Sequence, residues 1–226
     1  MWETPPPTPE GPALPAPMAG LTALLFVAVL AVLGAAAFTV WHYAPAFAAH
    51  AAPAPTANRP AAGSIAPFFT PEVRHWEKDI LRWAADAQLD PNLVATVMQI
   101  ESCGDPQARS VAGARGLFQV MPFHFAAGEN PDDPDVNARR GLAYLRRAWE
   151  QSHGDVALTL AGYNGGLGIM AAPRWPAETQ IYVRWGAAIY ADAAAGQAHS
   201  QALEGWLATR GLWLCRQAHR RLKMGD

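Results

Sequence analysis

Three polar-proline pairs divide this chain into segments that can only begin as helices. Thr70-Pro71, Asp90-Pro91 and Asp133-Pro134 each precede an apolar-periodic run. A Thr or Asp side chain can accept a hydrogen bond from an orphan amide at the N-cap. Proline at the first helical position loses nothing, because that N–H has no partner in a helix. The pairs predict helices at about 71–87, 91–102 and 134–151. Further helical patterns run over about 155–163, 177–193 and 200–222, the last ending in Arg216, Arg220, Arg221 and Lys223, the favourable sign for a helix C-terminus. The Gly-containing stretch 104–132 should turn, with at most a short strand pair. No βαβ alternation occurs, so a doubly wound sheet is excluded. The expected class is mainly α.

Charge is unevenly placed. Before Arg59 the only charged side chains are Glu3 and Glu10, so all 17 Lys and Arg face all but two of the 19 Asp and Glu in the rest of the chain. That balance excludes a basic nucleic-acid binder, which needs a cationic excess to replace phosphate counterions. Two widely separated cysteines and seven histidines without a His-Glu-x-x-His pair point to no metal centre and no cofactor.

The N-terminal part reads as tail, anchor and tether. Residues 1–17 hold seven prolines and too few large apolar side chains to bury a core, so they are expected to be disordered. Met18 to Val40 carries no charge, and Trp41 and Tyr43 follow. A run of about 20 apolar residues spans a bilayer, and amphipathic aromatics favour its interface. Residues 18–43 are therefore expected to be a transmembrane helix. A cleaved signal peptide is the alternative: Ala46-Phe47-Ala48 has the small-x-small form of a cleavage site, but the run is long and lacks a positive n-region. No Lys or Arg flanks the span closely, so the positive-inside rule does not orient it. Residues 44–69, rich in Ala and Pro, read as a spacer.

Glu101 is the candidate acid. Leu93, Val94, Val97 and Met98 form an apolar stripe, and Glu101 follows Val97 by four residues onto the same stripe. Poor solvation there disfavours ionisation and raises a carboxyl pKa, which suits a general acid near neutral pH. Placed at a last turn, the same side chain could instead bend into water.

The residues around it resemble the lytic transglycosylase family, in its soluble-lytic-transglycosylase type of domain with a lysozyme-like fold. The blocks are Glu101-Ser102, Gly104-Asp105-Pro106, and Ser110 through Gly113-Ala114, Gly116-Leu117, Gln119 and Pro122. They continue as Asp133-Pro134 with Asn137, Gly141 and Tyr144-Leu145, then Ala161-Gly162-Tyr163-Asn164-Gly165-Gly166, then Glu178-Thr179 with Tyr182-Val183. Cys103, Phe118, Gly162 and Gly165 depart from the usual pattern. The resemblance implies a catalytic domain over 70–192, followed by a helical extension, 193–226, packed on it. It implies Glu101 as catalytic residue and Ser102, Ser110, Gln119, Tyr163, Asn164 and Tyr182 as substrate-binding residues. The expected partner is a peptidoglycan glycan strand, cut by an extracytoplasmic, single-pass, monomeric enzyme. A hydrolytic lysozyme or chitinase and a non-catalytic glycan-binding module are the competing classes. Glu178 reads more readily as a structural ion-pair partner than as a catalyst, and Trp149, Trp175 and Trp185 as core or cleft-lining residues. Cys103 and Cys215 are expected to form a disulfide tying the last helix behind the catalytic one, a bond that persists only in an oxidising compartment.

Overall fold

A computed structural model describes residues 63–225. The tail 1–17, the transmembrane helix expected at 18–43 and the first part of the spacer lie outside the described residues. Among those described, no helix is long and apolar enough to cross a membrane.

The three polar-proline pairs do begin helices. Asp90 accepts from Asn92 N at 2.7 Å and Asp133 from Val136 N at 3.0 Å. They start α3 (Pro91–Glu101) and α4 (Pro134–Gln151). The Thr70 side chain makes no such cap; its hydroxyl donates instead to Gln99 Oε1 at 3.2 Å. The helix expected over 71–87 is broken into α1 (Pro71–Arg74) and α2 (Glu77–Ala87). At the break, Trp76 donates its indole N–H to the Gly104 carbonyl at 2.9 Å. Then follow α5 (Val156–Gly165), α6 (Ala177–Ala194), α7 (Gln201–Trp206), a π-helical turn (Leu207–Gly211) and α8 (Leu212–Leu222). The described residues contain no extended strand. Arg109 with Arg115, and Arg115 with Val120, form isolated antiparallel bridges.

Helix α3 is the axis of the fold. Leu93, Val94, Ala95, Val97 and Met98 are wholly buried, and so are Asn92, Thr96 and Gln99. The apolar stripe read from the sequence is thus part of a helix covered on every side, which is what an apolar helix at the centre of a bundle does. Its buried polar groups are satisfied internally: Asn92 Oδ1 accepts from Ala66 N at 2.8 Å and Thr96 donates to Asn92 O at 2.7 Å. Helices α2 and α6 pack against α3, and α5 packs between α4 and α6. The core also reaches back into the expected spacer. Ile65, Ala66 and Phe69 are buried, so the folded unit takes in the spacer's last residues, which α3 needs as a lid.

Candidate active site

Glu101 closes α3, and the chain then leaves the helix through Cys103 and Gly104, both in left-handed backbone (φ 51° and 82°). A Cβ on Gly104 would stand 2.7 Å from the Glu72 carbonyl, so only glycine passes there. The loop that returns past Glu101 is pinned by Asn137 of α4. Asn137 Oδ1 accepts from Phe118 N at 2.9 Å, and its amide donates to Arg115 O at 2.8 Å and Pro131 O at 3.0 Å. A side chain on Gly116 would collide with that amide. This clamp holds Gln119 at φ 46°, a conformation that costs a non-glycine residue about 1–2 kcal/mol.

Two cavities meet at Glu101. One, of about 240 Å³, is lined by Glu101, Ser110, Gln119, Tyr163, Asn164 and Glu178, among others. The second, of about 360 Å³, is shaped by Tyr182, Trp185 and the C-terminal helices and includes Glu101, Asn164 and Glu178 again. A larger cavity of about 630 Å³ lies between α2 and α4. Its lining carries four arginines and three carboxylates, and the Arg82 hydrogen bond holds the Asp135 carboxyl below the usual range. It offers no group poised for proton transfer.

Burial raises the Glu101 pKa to about 8, the Glu178 charge adds to the rise, and the Tyr182 hydroxyl offsets part of it. That hydroxyl is buried beside Glu101 yet completes no hydrogen bond, so its effect is that of a nearby donor rather than a made bond. Burial first, and the Glu101 charge second, push the Tyr163 and Tyr182 hydroxyls well above the ordinary tyrosine value. Both stay neutral at any working pH. His124, in the smaller cavity, is lowered by burial and by Arg147.

Residues 79–180 match the family model for the transglycosylase SLT domain. Over that stretch the chain is similar to the lytic transglycosylases. It is 38% identical over 109 residues to the transglycosylase of Enterobacteria phage PRD1, covering 47% of this chain and 40% of that protein. It is 31% identical over 121 residues to the membrane-bound lytic murein transglycosylase F of Vibrio cholerae, covering 48% of this chain and 23% of the relative. The lytic transglycosylase Slt of Pseudomonas aeruginosa is 28% identical, with a TM-score of 0.44 over 52% of this chain and 24% of that one. The chain thus spans less than half the length of these relatives.

Within the matched region and the helix that runs on from it the expected residues divide. Ser110, Gln119, Tyr163 and Asn164 line the smaller cavity and Tyr182 the larger. Asn164 Oδ1 accepts from Thr179 at 2.8 Å, which leaves its NH2 as the remaining polar group. Tyr163 donates to the Phe118 carbonyl at 2.7 Å. Ser102 is different: it is fully buried, its hydroxyl donates to Leu117 O at 2.7 Å and accepts from Gly104 N at 3.1 Å. It holds the loop to the end of α3 and lines neither cavity beside Glu101. Glu178, read as an ion-pair partner, is exposed, forms no salt bridge among the described residues and lines both cavities. Trp185 lines the larger cavity, whereas Trp149 and Trp175 pack on the core. The departures at Gly162 and Gly165 are filled by the turn Leu167–Ala171: a Cβ would meet Met170 Sδ at 2.6 Å in one case and collide with Ile169 in the other.

Proposed function

We propose that the chain is an extracytoplasmic lytic transglycosylase, anchored through residues 18–43, that cleaves the bond between N-acetylmuramic acid and N-acetylglucosamine in peptidoglycan. The observation that carries this reading is the Glu101 carboxyl, raised to about 8 at the junction of two cavities. Such an acid is protonated at neutral pH and still able to ionise within a catalytic cycle.

Glu101 gives its proton to the glycosidic oxygen as the C1–O bond breaks. The substrate's acetamido oxygen closes on C1 and takes up the developing positive charge. Ionised Glu101 then removes the proton from the muramyl C6 hydroxyl. O6 attacks C1, releasing the acetamido group and leaving a 1,6-anhydro end. No water and no cofactor enter. Tyr182, with its unpartnered hydroxyl, is positioned to donate to the Glu101 carboxylate between the two proton transfers. Ser110, Gln119 and Asn164 present hydrogen-bonding groups to the sugar, and neutral Tyr163 shapes the wall behind it.

Glu178 supports a second reading, because a second carboxylate in the same cleft is what a hydrolase uses to direct water. Mass spectrometry of muropeptides separates the two, since anhydro products lack one water relative to hydrolysed ones. Glu101→Gln tests the acid itself: turnover of purified sacculi should fall at least about 10²–10⁴-fold. A Gln variant with wild-type turnover would sink the assignment.

A further inference from the structure

The larger cavity beside Glu101 is built mostly from outside the matched region. The matched region ends at residue 180, yet Trp206, Arg210, Trp213 and Leu214 line that cavity together with Glu101. Trp213 is 69% exposed and Ile181, across the same cavity, 41%. The two side chains give this cavity wall an open apolar face.

The local backbone is organised to present this face. Between α7 and α8 the helix widens into the π turn Leu207–Gly211, where Thr209 Oγ1 donates to the carbonyls of Gly205 at 3.1 Å and Trp206 at 3.0 Å. Single π turns inside α-helices occur mostly at functional sites, because the extra residue re-aims the side chains that follow. Two glycines receive the tryptophan rings: a Cβ on Gly211 would collide with the Trp206 ring, and one on Gly205 would stand 3.0 Å from that of Trp185. Arg210 is exposed and has no ion-pair partner among the described residues. The disulfide from Cys215 to Cys103, two residues past Glu101, fixes the whole wall to the end of α3.

The occupant follows from continuity. Glu101, Asn164 and Glu178 belong to both cavities, so a polymer cut at Glu101 runs on along this wall. A sugar ring offers an apolar C–H face to an indole, and a peptidoglycan strand also carries carboxylates on its muramyl substituents. We propose that α7, the π turn and α8 form a glycan subsite, with Trp213 as the platform for a sugar ring and Arg210 as the partner of a muramyl peptide carboxylate. This rests on the peptidoglycan reading above.

The test uses the full chain in two arms. In a Glu101→Gln background, cosedimentation with purified sacculi should show Trp213→Ala weakening binding about tenfold, a loss of about 1.4 kcal/mol. In the active background, Trp213→Ala should raise KM by a similar factor with kcat little changed. Arg210→Ala should weaken binding to intact strands and have no effect on strands whose peptide carboxylates have been converted to amides, with Arg210→Lys recovering part of the loss. Thermal melting should stay near wild type, since both side chains are exposed. Unchanged binding and KM in Trp213→Ala and Arg210→Ala, with the wild type active, overturn the subsite. A wild type that binds sacculi through Trp213 without cutting them keeps the subsite and overturns the catalytic reading.

Discussion

Glu178 sits near the start of α6 and Glu101 at the end of α3, and the two carboxyl groups share both cavities of the cleft. Like charges in one cleft cannot both ionise freely, and burial already penalises ionised Glu101. The result is an acid raised to about 8 by burial first, with the exposed Glu178 adding a smaller share.

That pairing fixes a pH dependence. The general acid must be protonated, so kcat/KM should fall as pH rises through about 8. Glu178→Gln removes the repelling charge and should move this limb to lower pH. Tyr182→Phe removes the donor that favours the ionised form and should move it higher. Rate profiles on purified sacculi read both; shifts in the same direction would contradict the electrostatic assignment.

The same shift predicts a stability effect. Folded Glu101 holds its proton up to about 8, whereas the unfolded chain releases it near 4.5. Between those values the folded state binds the extra proton, so stability falls as pH rises, and the loss is complete above about 8. The shift sets an upper bound of about 5 kcal/mol, reduced by any water that reaches the carboxyl. Glu101→Gln should melt with the wild type at pH 4, below the unfolded value, and above it at pH 9. Equal melting at both would mean the carboxyl is solvated.

Helix starts were legible because Asp90 and Asp133 act through their own neighbours, two and three residues on. Breaks were not. Nothing local in His75-Trp76 ends a helix; the Trp76 indole is drawn to Gly104, 28 residues away. The π turn is equally silent in sequence, since it depends on where Trp206 must lie. At the site, Glu101 was readable from its spacing to Val97, but the surroundings of Ser102 and Glu178 were not. The resemblance set Ser102 among the substrate-binding residues, and only the return of Leu117 shows its hydroxyl already used. Glu178 meets Glu101 through the packing of α6 on α3, a contact that no spacing encodes.

Asn137 gives a prediction about the loop. It is 1% exposed and makes three hydrogen bonds to the segment 115–131. Asn137→Ala leaves the buried Phe118 N–H unpaired, at about 1–3 kcal/mol, and removes the amide from the Pro131 carbonyl, while Arg115 O keeps its bond from Val120 N at 2.9 Å. Chemical denaturation should show a loss of about 1–3 kcal/mol. Sacculus cleavage should fall further than the folded fraction accounts for, because Gln119 loses its support. A variant as stable and active as the wild type would remove Asn137 from this role.

The last prediction concerns the bond between α8 and the end of α3. Cys103 and Cys215, 112 residues apart in sequence, are joined with Cα atoms 5.0 Å apart, and Gln99 Nε2 donates to Cys103 Sγ at 3.1 Å. Closing so long a loop removes conformations from the unfolded chain and stabilises the fold by about 4–5 kcal/mol in the chain-entropy model. The Cys103→Ala/Cys215→Ala double variant should therefore melt about 10–15 °C lower, the shift expected for a chain of this size. Below its melting temperature it should retain kcat, because Glu101, Tyr182 and Asn164 are placed by α3, α5 and α6. Its KM should rise, because Trp213 and Arg210 ride on the segment the bond restrains. Such a bond also needs an oxidising compartment, so protein taken from the cell without reductant should show no thiol that labels after unfolding. Two labelled thiols would mean the bond is absent where the protein works. A double variant with unchanged KM and lowered stability would mean that the bond serves the fold alone.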